Sequence, residues 1–157
     1  MTTGRFHYKY TIRTSDLWQA SMYYAYSSYM GVVNIVFIIS AAALIISRWR
    51  SSSDIAKTVM IVLLLMFTVI QPAVIWARAR ASLNNAVREL TLDFGGDGMM
   101  VESNGLRQHK TWDSIKGIVK KPTLLIIYMD DGNGYILRNS VLKNTKNELY
   151  DFVNKMK

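Results

Sequence analysis

The sequence predicts a membrane α-helical hairpin joined to a small α+β domain, and three observations carry that expectation. Two runs of 19 residues, Tyr29 to Ser47 and Thr58 to Trp76, contain no charged side chain. Half of the 157 residues are hydrophobic and only 19% are charged, a balance too apolar for a soluble domain of this size. Beyond the second run the pattern changes to short alternating segments separated by Gly, Asn and Asp, and the chain ends in an amphipathic stretch.

Taken in order, the chain divides into 1–28, an N-terminal strand and interfacial helix; 29–77, the two apolar spans; and 78–157, a helix extension and a sheet domain. In "RFHYKYTIR", Phe6, Tyr8, Tyr10 and Ile12 alternate with Arg5, His7, Lys9 and Arg13, the pattern of a half-buried strand. Thr14 or Ser15 then offers a cap for a helix through "DLWQASMYYAYSS", whose Trp and Tyr side chains suit a membrane interface. As a helix, each uncharged run is roughly 28 Å long at ~1.5 Å per residue, close to the ~30 Å hydrocarbon core. Tyr23, Tyr24, Tyr26 and Tyr29 precede the first span and Arg48-Trp49-Arg50 follow it, while Trp76, Arg78 and Arg80 close the second. Such aromatic and basic side chains settle where lipid meets water.

The link "RWRSSSDIAK" is short, so the spans run antiparallel and both termini share one side. Lys9, Arg13, Arg78, Arg80 and Arg88 flank the spans on that side, against Arg48, Arg50 and Lys57 in the link, which places both termini in the cytoplasm. Within the spans Asn34 and Gln71 are the costliest groups to leave facing lipid, and they are the candidate intramembrane contacts, across the hairpin or to a second copy in a homo-oligomer. Ser40-Ala41-Ala42-Ala43 gives the first helix a close-approach surface, and Pro72 removes a backbone donor and bends the second.

After the second span "ARARASLNNAV" prolongs the helix, and about five strands follow. They are "LTLDF", "MMVES", "LRQHKTW", "TLLIIYM" and "YILRN", separated by the glycine turn, Asn104-Gly105, a Pro122 segment and Asp130-Asp131-Gly132-Asn133-Gly134. A capping box of Thr145 and Glu148 opens the last helix, and Leu149, Phe152, Val153 and Met156 give it one apolar face.

An antiparallel meander closed by an amphipathic helix has the outline of a pleckstrin-homology-like (PH-like) domain. The residues that carry a closer likeness are Phe94, the Asp97-Gly98 turn, Trp112-Asp113-Ser114-Ile115 with Ile118, the apolar strand through Tyr128, and the helix around Leu149 and Phe152. With two spans before them and "HYKYTIRTSDLW" at the N-terminus, they resemble the YcxB-like membrane proteins of bacteria. The resemblance implies a multi-pass protein of the bacterial inner membrane with a cytoplasmic PH-like domain. It implies no catalytic activity.

The net charge of +8 raises nucleic acid or an anionic membrane as a partner. Residues 1–88 hold nine basic and two acidic side chains, a net of +7, while the remaining segment is +1, so the excess flanks the spans and disfavours nucleic acid. Asp93-Phe94-Gly95 spells a kinase triplet, yet the glycine-rich lid, strand lysine and H-R-D loop of a kinase are missing from the sequence. There is no cysteine, His7 and His109 are far apart in sequence, and no G-x-S-x-G or phosphate-loop motif occurs, so the expectation is a non-enzymatic protein without cofactor or metal. Lys116, Lys120, Lys121, Lys143 and Lys146 form the candidate patch for lipid headgroups or a protein partner, with Trp112, Phe94 and Phe152 as structural anchors. The partners expected are the lipid bilayer and a second protein. The alternative role is immunity against a membrane-acting toxin, gripped by Asn34, Gln71 and the small-residue face.

Overall fold

The computed structural model describes residues 5–27, 29–84 and 89–157. The helix expected over Asn85 to Val87, and the flanking charge of Arg88, lie outside the described residues. Contacts divide the chain into two compact units, Met1–Ala20 with Ser82–Lys157, and Ser21–Ala81.

In the first unit, β1 (Phe6–Thr11) is followed by α1 (Thr14–Ser27), whose first residues belong to this unit. Phe6, Tyr8 and Tyr10 are buried and the residues between them exposed, as their alternation predicts. β2 (Glu89–Phe94), β3 (Met99–Ser103) and β4 (Leu106–Lys110) complete an antiparallel four-stranded sheet in the order β1-β2-β3-β4. β1 therefore pairs with a strand about eighty residues away, Phe6 opposite Phe94 and Tyr10 opposite Leu90. A second antiparallel sheet holds β5 (Ile115–Lys120), β6 (Leu124–Met129) and β7 (Gly134–Arg138) in that order. Two helices follow, α5 (Asn139–Leu142) and α6 (Lys146–Met156).

Both sheets feed one core, with Leu92, Phe94 and Met99 from the first, Ile115, Ile127 and Leu137 from the second, and Leu149 and Val153 from α6. Of the α6 stripe read from sequence, Leu149 and Val153 are fully buried and Phe152 and Met156 pack against the core partly exposed.

Three local expectations change. Six strands follow the second long helix rather than five, because "IKGIVK" forms β5. A bulge between Ile115 and Gly117 puts Ile115 and Ile118 on the same buried face at an odd spacing, so the strand lacks the period-two signature. The cap of α1 is not Thr14 or Ser15; Arg13 precedes the helix, and Asp16 reaches back to accept the Arg13 N–H at 3.0 Å, the return half of a capping box. At α6 the Thr145 hydroxyl makes no cap bond, because it donates to the Leu142 carbonyl at 2.6 Å and lies 2.7 Å from the Tyr8 hydroxyl.

The second unit contains α2 (Tyr29–Arg48) and a second helix built from α3 (Asp54–Leu65), a π-helical turn (Met66–Ile70) and α4 (Gln71–Asn84), which continues past the unit's end. Ser53 caps α3 through the Ala56 N–H at 3.3 Å. The π turn falls just before Pro72, whose missing N–H and bulky ring cannot continue a regular helix; the Gln71 N–H instead reaches the Met66 carbonyl five residues back. Gly31 packs so closely on the backbone of Tyr26 that any side chain there would overlap it. Two helices are thus long and apolar enough to cross a membrane, Gly31–Arg48 and Asp54–Asn84.

Candidate functional site

On α2 the covered positions include Gly31, Asn34, Ile38, Ala41 and Ile45, spaced by three and four residues, with Ala42 beside them. The second helix covers Met60, Leu64, Phe67, Gln71 and Ile75 at similar intervals. Asn34 is buried and its Nδ2 donates to Gln71 Oε1 at 3.3 Å; three residues along, the Phe37 and Phe67 rings lie 4.8 Å apart. The Tyr26 hydroxyl donates to the Phe67 carbonyl at 3.5 Å. The two amides singled out from sequence thus meet each other inside the seam. Facing outward instead are Ile39, Ile46 and Ile55, at 63%, 83% and 79% exposure. This unit hides its amides and displays its aliphatic side chains, the reverse of a water-soluble helix pair.

In the first unit the structural anchors form an aromatic group. Phe94 is fully buried with the Tyr8 ring edge-on at 6.2 Å, and Phe152 lies between Phe6 and Trp112 at 5.5 and 5.6 Å. Trp112 opens a short 3-10 turn (Trp112–Ser114) and its indole N–H donates to the Gly96 carbonyl at 3.0 Å. That bond fastens the glycine turn, which the Gly95 N–H closes onto the Gly98 carbonyl at 2.9 Å. Asp93 projects from the opposite side of β2 to Phe94 and pairs with His7 of β1. The "DFG" letters are therefore a strand running into its turn.

The five candidate lysines do different things. Lys146 turns inward: its ammonium donates to the Lys121 carbonyl at 2.5 Å, to Asn139 Oδ1 at 2.7 Å and to the Pro122 carbonyl at 3.3 Å. Burial, and then the charge of Lys120, push its pKa down. Lys120 donates to Asn147 Oδ1 at 3.0 Å and lies over the Tyr150 ring at 5.1 Å. Lys121 closes the β5–β6 turn through its N–H to the Leu124 carbonyl at 2.9 Å. Lys143 ends α5 with a φ of 49°, and its N–H returns to the Asn139 carbonyl at 2.8 Å. Lys116 sits in the β5 bulge with an exposed side chain, and its carbonyl accepts from the Lys157 ammonium. The structure brings Lys120, Lys121 and Lys146 to one end of β5, with Lys116 toward the other.

Sequence reasoning missed two features. A buried ion pair joins α1 to β7: Asp16 Oδ2 accepts from Arg138 Nη1 at 2.9 Å, and the same nitrogen donates to the Thr11 carbonyl at 3.1 Å. No local signal links residues so distant in sequence. The other is a surface hollow of about 340 Å³ lined by Lys116, Gly117, Tyr128, Met129, Gly132 and Asn133. A glycine inside a strand was its only sequence trace.

His109 is 3.5 Å from Asp97, and Asp131 is 3.2 Å from Lys110 and accepts the Asn133 N–H at 2.9 Å. The Asn133 backbone N–H, followed by its side chain and Lys110, holds the Asp131 carboxyl below its usual range. Among the described residues no group of three or more His, Cys, Asp and Glu side chains is placed to hold a metal ion.

Residues 94–156, from the last residue of β2 to the last of α6, match the family model described as YcxB-like protein. The segment is thus similar to the family that its turns and core positions resemble. No curated protein and no solved structure matches the chain.

Proposed function

From this similarity and the geometry of both units, we propose that the chain is a non-enzymatic protein of the bacterial inner membrane. Its two apolar helices form a transmembrane hairpin that tethers a cytoplasmic PH-like domain, and that domain acts by binding another protein. The observation that carries the membrane part is the inverted helix pair: the polar amides face each other and the aliphatic side chains face out. A four-stranded and a three-stranded antiparallel sheet around one core, with α6 packed on β5, support the PH-like reading. Fold alone does not name a ligand, and the domain's exposed strand edges and polar turns are the features suited to a protein partner.

The alternative, protection against a membrane-acting toxin, would need Asn34, Gln71 and the Ser40 to Ala43 face on offer to the toxin, and of that face Ser40 and Ala43 are exposed. In the hairpin the two amides bind each other and Ala41 is buried.

Because the chain has no cysteine, single cysteines test the topology cleanly. In intact spheroplasts an impermeant maleimide labels Ser52→Cys in the link and spares Asn144→Cys in the domain; labelling of Asn144→Cys alone would reverse the orientation. Photo-crosslinkers on exposed domain positions in native membranes then give a discrete protein adduct that excess unmodified chain competes away. Recovery of lipid alone at every position would refute protein binding.

A further inference from the structure

Gly117 has no structural reason to be glycine. Its φ is not positive, so the β5 bulge does not require it, and a side chain built there meets no heavy atom within 4 Å. Glycine weakens a strand interior, and where neither turn nor crowding explains it, it marks a close approach by something else. In the sheet's register Gly117 is opposite Tyr128, and Tyr128 is opposite Gly134 on its other side. Gly134 also lacks a positive φ, and a Cβ added there would meet the Ile127 carbonyl oxygen at 3.4 Å, an ordinary contact. One row of the three-stranded sheet therefore carries a half-buried tyrosine between two bare positions, and the 340 Å³ hollow lies over its Gly117 side.

The lining carries the Lys116 ammonium, and Asp130 and Asp131 stand in the hairpin that forms the opposite wall, where Asp131 is held by Lys110 and the Asn133 N–H. The Lys116 ammonium and the Tyr128 hydroxyl have no hydrogen-bond partner among the described residues. Lys157 brings a second ammonium to the Lys116 carbonyl, and β5 itself carries Lys116 and Lys120 and no acidic residue. Val119, two residues along the strand from Gly117, is 36% exposed and extends the apolar surface.

We propose that this hollow is the protein-binding site of the domain. It receives one large apolar side chain from an extended acidic segment of a partner, over Gly117 and against Tyr128, while a neighbouring carboxylate meets Lys116. The inference rests on the reading that the domain binds protein. An open hollow of this size suits one inserted side chain, and the Lys116 ammonium in its lining, with Asp131 already engaged by Lys110, selects a carboxylate beside that side chain.

The test uses the full chain in phosphatidylcholine nanodiscs and a set of fluorescent pentapeptides, Glu-Asp-Xaa-Glu-Asp, with Trp, Phe, Leu, Ala or Ser at the centre. Peptides with Trp, Phe or Leu are expected to bind at least tenfold more tightly than the Ser peptide. Gly117→Val, which fills the hollow, and Lys116→Glu, which reverses the charge in its lining, each remove at least tenfold of that affinity. Should Gly117→Val disturb the near-ultraviolet circular dichroism, Lys116→Glu and Tyr128→Ala decide the matter.

Affinity that ignores the central residue and survives Gly117→Val, yet falls with Lys120→Glu, overturns the hollow while leaving protein binding in place. Absence of peptide binding also overturns the hollow. If phosphatidylglycerol vesicles then bind in a Lys116-dependent way, the proposed function moves to lipid as well.

Discussion

Gly98 and Gly96 lie two residues apart in one turn, and the structure assigns them opposite sensitivities. Gly98 has a φ of 150°, and an added Cβ would fall on the Lys110 carbonyl oxygen, closer than real Cβ atoms come, and 3.1 Å from His109 Nε2. The backbone conformation costs a non-glycine residue about 1–3 kcal/mol. Moving the Lys110 carbonyl away disturbs the pairing of Met99 with Lys110, worth about 1 kcal/mol for each hydrogen bond weakened. Gly98→Ala should therefore destabilise the sheet domain by about 2–5 kcal/mol, a large part of the ~5–15 kcal/mol available to a domain. At Gly96 φ is not positive and no atom lies within 4 Å of an added Cβ, so Gly96→Ala should stay within about 0.5 kcal/mol of the parent or gain slightly from a less flexible unfolded chain. The assay is urea unfolding of the full chain in micelles, followed by the indole N–H resonance of Trp112, which bonds the Gly96 carbonyl and reports this unit alone. Assignment comes from Trp112→Phe. Equal midpoints for the two alanine variants would refute the steric argument.

Tyr10 and Tyr8 should respond in opposite senses to loss of the hydroxyl: the buried Tyr10 hydroxyl has no partner among the described residues, so Tyr10→Phe should stabilise by about 1 kcal/mol, whereas Tyr8→Phe loses the 2.7 Å bond to Thr145 and should cost about 1 kcal/mol in the same urea assay. Burial raises both phenols above the ordinary 10.0, which favours the protonated form in the fold. Their contribution is then complete below pH 10 and is lost as the pH climbs above it, and Tyr10→Phe should flatten that alkaline loss in a pH series. Arg138→Met strands the Asp16 carboxylate at 4% exposure and should cost about 3–5 kcal/mol; combining it with Asp16→Asn should cost clearly less than the two single changes added together. Lys146→Ala removes a donor shared by three oxygens and should destabilise by about 1–3 kcal/mol, while Lys116→Ala should leave the unfolding midpoint unchanged.

The elements legible in the sequence are those whose side-chain pattern matches their local geometry. β1 alternates without a break, α6 repeats its apolar residues every three and four positions, and the Asn104-Gly105 pair takes positive φ at both residues, as a tight hairpin needs. β5 was illegible because its bulge inserts Lys116 and breaks the alternation. The caps differ from expectation for two reasons: the cap position of α1 falls one residue before Thr14, at Arg13, with Asp16 bonding back to the Arg13 N–H, and the Thr145 hydroxyl is drawn off to the Leu142 carbonyl and to Tyr8, which only the tertiary fold brings near. Local preference proposes a partner, and the nearest well-placed group in space decides it.

The same distinction governs the lysines. Along the chain they form a basic run with two outliers, and a charge run is ordinarily a solvated face. In space the outlier Lys146 is the one most engaged, holding the β5–β6 turn and α5 through oxygens that only the folded chain brings together. Lys116, which no residue nearby holds by its ammonium among those described, is instead placed by the bulge beside the hollow. Neutralising all five lysines at once would therefore mix a folding defect with a loss of binding, and its outcome could not identify the ligand. Lys116→Glu beside Lys146→Ala separates them, because the first changes charge where the fold is indifferent to it and the second changes the fold where the charge is turned inward.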